Sequence, residues 1–173
     1  MRASNFRVEL SEEIMPVKIV HNPEEMEELC SEIASEYLIP AGRSMILLEG
    51  ELGAGKTAFC RGFARVLGIS GNINSPTFNL LNVYEGERGR LYHYDLYRIS
   101  APEDLHELGF IEIWSEKCPG ICIHAIEWWR KAAELLPEGV LKVLVRIESS
   151  ENTDDRTVSF DILREISDAK NPT

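Results

Sequence analysis

Ser44-Met45-Ile46-Leu47-Leu48 runs by way of Glu49 into Gly50-Glu51-Leu52-Gly53-Ala54-Gly55-Lys56-Thr57, and the reading of this junction decides the fold. The first five residues are short and apolar, as a strand buried on both faces of a parallel sheet requires. The eight from Gly50 fit the pattern G-x-x-x-x-G-K-[ST]. From Lys56 to Leu67 the pattern turns helical, with Phe59, Phe63, Val66 and Leu67 on one side and Gly68 as the C-terminal stop.

Each fixed residue type in that loop has a physical task. Glycines let the backbone wind closely around a phosphate with its N–H groups pointing inward, and the following helix adds roughly half a positive charge at its N-terminus. Lys56 is placed to reach the β- and γ-phosphates, and the Thr57 hydroxyl is an oxygen ligand suited to Mg²⁺. A random chain of this length would match the pattern on the order of once in a few hundred, and the flanking strand and helix reduce that further. The junction by itself therefore implies nucleotide binding with magnesium.

Outward from the loop, 173 residues with 44% hydrophobic and 27% charged suit one globular domain. The expected organisation is a peripheral extension at 1–16, a single domain at 17–164 and a tail at 165–173. No stretch approaches the ~18 consecutive apolar residues of a membrane span, and acids interrupt the first twenty residues, so a cytoplasmic protein with no membrane contact is expected. A formal net charge of −11 argues against a domain that grips nucleic acid by itself, because such binding draws on clustered Lys and Arg. Cys30, Cys60, Cys118 and Cys122 do not have zinc-site spacing and are expected to be reduced, partly buried thiols.

Asn22, Pro23 and Glu25 mark a helix start, and Met26, Leu29, Cys30, Ile33, Ala34, Tyr37 and Leu38 recur on one face of it. Residues 79–84 and 91–97 flank a glycine-containing turn and predict a hairpin. Ser100 and Glu103 have capping-box spacing around Pro102 and predict a short helix to about Leu108. Residues 121–126 read as a buried strand closed by Glu127, and 140–147 with 157–163 as late antiparallel strands. The sum is an α/β protein, a three-layer P-loop NTPase fold with a mixed, mainly parallel sheet.

A P-loop needs a carboxylate for magnesium or its water shell and a group that orients the attacking water. Asp95, in His93-Tyr94-Asp95-Leu96-Tyr97-Arg98, and Glu127 both stand at carboxyl ends of strands, where open α/β sheets gather ligand chemistry. Asp95 could instead pair with Arg98 or cap the next turn, and Glu127 could be an exposed acid opening a helix. Alternation puts His93 on the same face as Asp95, as a base or as a hydrogen-bonded core residue. Ser75-Pro76-Thr77-Phe78 follows the P-loop helix where nucleotide switches bring a threonine near magnesium, or is simply a turn. Trp128 and Trp129 could stack on a base or a partner, or pack in the core.

Taken together, the P-loop, Ser75-Pro76-Thr77-Phe78, the segment from His93 to Arg98, Leu108-Gly109 and Ile126-Glu127-Trp128 resemble, in this order, the TsaE (YjeE) family, over about residues 20–147. The resemblance implies an ATPase of bacterial tRNA threonylcarbamoyladenosine biosynthesis that works with a TsaD-type and a TsaB-type protein and meets tRNA only through that complex. It implies ATP or ADP bound by Gly50, Glu51, Leu52, Gly53, Ala54, Gly55, Lys56, Thr57 and Ala58, with Asn22, Thr77 and Trp128 around them. Asp95, Lys56 and Glu127 form the implied catalytic set, and Thr57, Glu127 and Asp95 the implied magnesium set. Glu51, Ala58 and Trp129 depart from the family's usual residues, and His21 with Asn22 is the expected approach to the base. A nucleoside or small-molecule kinase using Asp95 as base is the alternative. A GTPase would need an N-K-x-D segment, which this chain lacks.

Overall fold

The computed structural model describes residues 8–9, 17–116, 118–151 and 153–165. In chain order the elements are β1 Val8–Glu9, β2 Lys18–Val20, α1 Pro23–Ile33, α2 Ile39–Ala41, β3 Arg43–Glu49, α3 Lys56–Leu67, β4 Leu81–Glu85, β5 Gly89–Asp95, α4 Pro102–Glu107, α5 Phe110–Ser115, β6 Ile121–Glu127, β7 Leu141–Ser149 and β8 Arg156–Glu165. They build one sheet in the order β1-β8-β7-β3-β6-β5-β4, with β2 also paired to β8. The central strands β7, β3, β6 and β5 run parallel, whereas β4, β8, β2 and β1 pair antiparallel with their neighbours.

Alternation along the central strands makes the sheet a middle layer. Ile46 and Leu48 of β3 pack with Phe59, Phe63 and Ile33 under α1 and α3. Met45 and Leu47 face the other way and pack with Tyr94, Phe110 and Trp114 beside α4 and α5. Apolar side chains on both faces explain why β3 has no polar alternation in sequence. Helices α1 and α3 meet at Gly62, where a Cβ would stand 2.3 Å from the Glu27 carbonyl oxygen, so only glycine permits this approach.

Local signals account for most of the helix ends. The Asn22 side chain accepts from the Glu25 N–H at 2.8 Å and caps α1, worth about 1 kcal/mol. Past Ile33 the helix widens over Ala34–Leu38, where the Ile39 N–H reaches back to the Ala34 carbonyl. Helix α3 ends at Gly68, which is left-handed at φ 71°.

Three expectations need correction. The cap of α4 is at Ala101 rather than Ser100: the Asp104 carboxylate accepts from the Ser100 and Ala101 N–H groups, so the aspartate one position beyond Glu103 closes the first turn. Those two backbone bonds hold the Asp104 carboxyl below its ordinary pKa. The first hairpin strand begins at Leu81 rather than Asn79, because Leu80 takes a left-handed φ of 62° and breaks the extended run. Cys118 and Cys122 form a disulfide instead of two thiols, the turn before β6 bringing their Cα atoms to 6.2 Å. Cys30 and Cys60 are free and buried, as expected, and burial pushes the Cys30 thiol well above its ordinary pKa. At the sheet's edge Val8 pairs with Glu165 and Glu9 with Arg164; residues 1–7, 10–16 and 166–173 lie outside the described residues.

Candidate functional site

The junction that opened the sequence reading stands at the carboxyl end of β3, between β7 and β6. At Gly50 the loop lies directly on β7: a Cβ there would meet the Ile147 carbonyl oxygen at 2.6 Å, and φ is 151°. Gly53 and Gly55 also have positive φ, and Gly55 delivers the chain into α3. Lys56 is almost fully buried, and its Nζ donates to the carbonyl oxygens of Gly50 at 2.8 Å and Glu51 at 2.9 Å. Thr57 follows it, half-buried in the first turn of α3.

The two acids come to this loop by strand register. Asp95 on β5 is the partner of Glu127 on β6, and Glu127 is in turn level with Leu48 of β3. Both carboxylates are buried, at 6% and 5% exposure. Glu127 is thus not the exposed acid that one reading allowed. Its Oε2 lies 3.7 Å from Lys56 Nζ and its Oε1 lies 2.9 Å from His93 Nε2. Asp95 Oδ1 accepts from the Tyr97 N–H at 3.0 Å, so this acid does cap the following turn. Arg98 packs over the Phe78 ring.

His93 is fully buried, with Cys60 Sγ 3.8 Å from the same Nε2 that faces Glu127. Burial alone would lower its pKa, but the Cys60 sulfur and the Glu127 carboxylate outweigh it and raise the group to about 10. Sequence alternation placed His93 beside Asp95 on one face; its contact with Glu127 depends on the β5–β6 register, which no local pattern carries.

Around this centre the remaining expected residues divide. Thr77 hydrogen-bonds Ser75 through its hydroxyl at 2.7 Å, inside an exposed turn. Trp128 takes a left-handed φ of 58°, is partly exposed and rests against Tyr97, while Trp129 is buried in the core. Trp128 also borders a cavity of about 180 Å³ together with Gly50, Lys56 and Arg130. Arg130 reaches the Glu49 carboxylate at 2.6 Å, and Arg146 bridges from Glu49 to Asp161.

On the other side of the loop, a cavity of about 400 Å³ is lined by His21, Asn22, Met26, Gly55, Ala58 and Arg156, among others. The Asn22 side chain is committed to Glu25 as a helix cap. His21 is held by Asp155 at 2.8 Å, and that hydrogen bond raises its pKa. Arg156, which sequence reasoning did not single out, donates to the Ala54 carbonyl at 3.2 Å. Its only sequence signal was a charged run opening a strand, and the pairing that carries it to the loop is long-range. Leu52 and Glu51 project outward from the loop tip.

A Walker-type loop between a central parallel strand and a helix, with two buried acids at the neighbouring strand ends, defines a P-loop protein of the nucleotide-binding, ATPase type. The family model described as "Threonylcarbamoyl adenosine biosynthesis protein TsaE" matches residues 20–158. The chain belongs to the TsaE family. Among its relatives, a tRNA threonylcarbamoyladenosine biosynthesis protein TsaE of Rickettsia felis is 38% identical over 130 residues, 75% of this chain and 71% of that protein. The Bacillus subtilis protein of the same name is 34% identical over 80% of each chain, and that of Treponema pallidum 42% identical over 63% of this chain and 77% of that protein. A crystal structure of Bacillus subtilis YdiB superposes with a TM-score of 0.60 at 25% identity, covering 90% of this chain and 87% of that one. No helix among the described residues is long and apolar enough to cross a membrane.

Proposed function

We propose that this chain binds ATP with magnesium and hydrolyses it, and that the cycle serves a TsaD–TsaB pair in cytoplasmic tRNA threonylcarbamoyladenosine biosynthesis. The observation that carries the reading is the pairing of Asp95 with Glu127 at the carboxyl ends of the adjacent parallel strands β5 and β6, with Glu127 Oε2 3.7 Å from Lys56 Nζ of the P-loop. Family membership gives the pathway.

In this reading the loop N–H groups and the amino end of α3 bind the phosphates, and Lys56 exchanges the Gly50 and Glu51 carbonyls for β- and γ-phosphate oxygens. Thr57, Glu127 and Asp95 are hard oxygen donors of the kind magnesium takes when phosphates and waters complete its shell. When bound, magnesium would neutralise charge developing on the phosphate oxygens. Asp95 is the group assigned to orient the attacking water, and the buried strand ends limit the access of bulk solvent. Cavities border the loop on both sides. The one lined by His21, Asn22 and Arg156 has room for a base, and Trp128 borders the one on the phosphate side.

The kinase alternative draws less support. Its acceptor site would need a closing lid, and the tip of the β4–β5 hairpin is instead bonded to the end of α3, with Glu87 N–H on the Gly68 carbonyl and Arg88 N–H on that of Leu67. The net charge of −11 suits a role in which tRNA is held by partners. The test is ATP hydrolysis with and without a purified TsaD–TsaB pair. Slow turnover alone and faster turnover with the pair is expected; equal rates together with no detectable association would refute the assignment.

A further inference from the structure

We propose that His93 is a positioning residue for Glu127, fixing the carboxylate so that one of its oxygens points at the phosphate-binding loop; the inference rests on the role given to Glu127 above. The terminal torsion of a glutamate is broad, and a carboxylate at a strand end can swing through a wide arc. Here each oxygen has its own neighbour. Oε1 accepts from His93 Nε2 at 2.9 Å, while Oε2 faces Lys56 Nζ at 3.7 Å. The histidine bond removes the swing and leaves Oε2 presented to the loop, so that orientation is settled before nucleotide and cation arrive.

Burial makes the clamp directional. His93 is fully enclosed, on the same face of β5 as Asp95 and level with Ala125 of β6. The Glu127 carboxylate can only accept, so Nε2 supplies the hydrogen of this bond, while Nδ1 has no hydrogen-bond partner in the core. The Cys60 sulfur, 3.8 Å from Nε2, backs the ring from α3 without competing strongly for that hydrogen. Because Nε2 is committed to Glu127 and the ring has no exposure, His93 cannot itself touch a bound substrate. Of its two sequence readings, base and core residue, the second holds with an added task.

Glutamine and asparagine separate this task from simple core filling. A glutamine amide nitrogen falls near the position of Nε2, whereas an asparagine nitrogen falls near Nδ1, where no partner stands. The measurement is ATP affinity by equilibrium titration with Mg²⁺ and with EDTA, alongside Mg²⁺-dependent turnover, for wild type, His93→Gln, His93→Asn, His93→Leu and Glu127→Gln. His93→Leu and His93→Asn should leave affinity in EDTA within about twofold of wild type. Both should raise the Mg²⁺ concentration for half-maximal effect roughly tenfold and lower turnover by about 10–100-fold. His93→Gln should recover to within about threefold of wild type. Asparagine and glutamine variants that behave alike would overturn the proposal, whether or not the leucine variant folds. If Glu127→Gln keeps wild-type Mg²⁺ dependence and turnover, the role of Glu127 itself fails, an outcome distinct from a failure of the clamp.

Discussion

Replacing Gly50 by alanine should destabilise the protein more than replacing Gly71, although both glycines have a φ that L-residues avoid, 151° and 127°. The backbone strain is common to the two positions and amounts to about 1–3 kcal/mol. The gain from a less flexible unfolded chain, up to ~1 kcal/mol, is common as well. What differs is the space. An added Cβ at Gly71 meets nothing within 4 Å, whereas at Gly50 it would stand 2.6 Å from the Ile147 carbonyl oxygen and 3.1 Å from the Ala54 Cβ. Neither neighbour is the free end of a flexible side chain, so β7 or the loop must yield by several tenths of an ångström. Forced overpacking of this kind costs about 1–3 kcal/mol, which is therefore the expected difference between the variants. In thermal terms it corresponds to roughly 2–12 °C for a chain of this size. Urea unfolding of the two variants, read at equal m-values, measures it. Because the Gly50 carbonyl also receives Lys56, ATP affinity should fall in Gly50→Ala and not in Gly71→Ala. Equal destabilisation of the two variants would refute the reasoning.

Other expectations follow from single residues. Lys56→Ala should abolish or severely weaken ATP binding, whereas Asp95→Ala should retain nucleotide and lose turnover; wild-type hydrolysis by Asp95→Ala would remove its assigned role. His124 is enclosed between Tyr92, Tyr94 and Cys122, and burial, with a smaller contribution from Arg43, lowers its pKa to about 3. The unfolded chain takes up that proton below about pH 6.5 and the folded chain does not, so stability is lost as pH falls from about 6.5 towards 3, by at most about 1.4 kcal/mol per pH unit. The stability difference between wild type and His124→Gln should shrink over that window in urea titrations at successive pH values; a constant difference would disprove the assignment. Trp128→Gly should be more stable than Trp128→Ala by about 1 kcal/mol, because both lose the contact with Tyr97 but only glycine tolerates φ 58° without cost.

The features legible in sequence were those made by neighbours along the chain. The apolar run at β3, the glycine loop and the helix to Gly68 are each signalled within a few residues, and the Asn22 cap likewise. What could not be read was the result of strand register. Asp95 and Glu127 read as separate strand ends, and only the pairing of β5 with β6 sets them side by side and brings His93 onto Glu127. The same holds for Arg156, delivered to the P-loop by β8. The misplaced cap of α4 has a local cause: Ser100 and Glu103 satisfied a spacing rule that Asp104 satisfies better by accepting from two N–H groups at once. Leu80 shows the converse, a residue of ordinary strand preference forced left-handed by the turn that Pro76 begins, whose carbonyl receives the Leu80 N–H.

The widened turn at Ala34–Leu38 has a bearing on descent as well as on shape. A turn that closes over five residues instead of four, as where the Ile39 N–H meets the Ala34 carbonyl, can take up one residue as a bulge without rotating everything downstream. Tyr37 leans on Phe160 and Leu38 is buried, so the bulge is part of the packed core. Removing one residue from this turn should restore a regular helix at modest cost. Removing one from α3, pinned by Lys56 at its start and joined closely to α1 at Gly62, should not be survivable. Length differences of one residue among relatives of this chain are accordingly expected to collect at the end of the first helix and to be absent from the second long one.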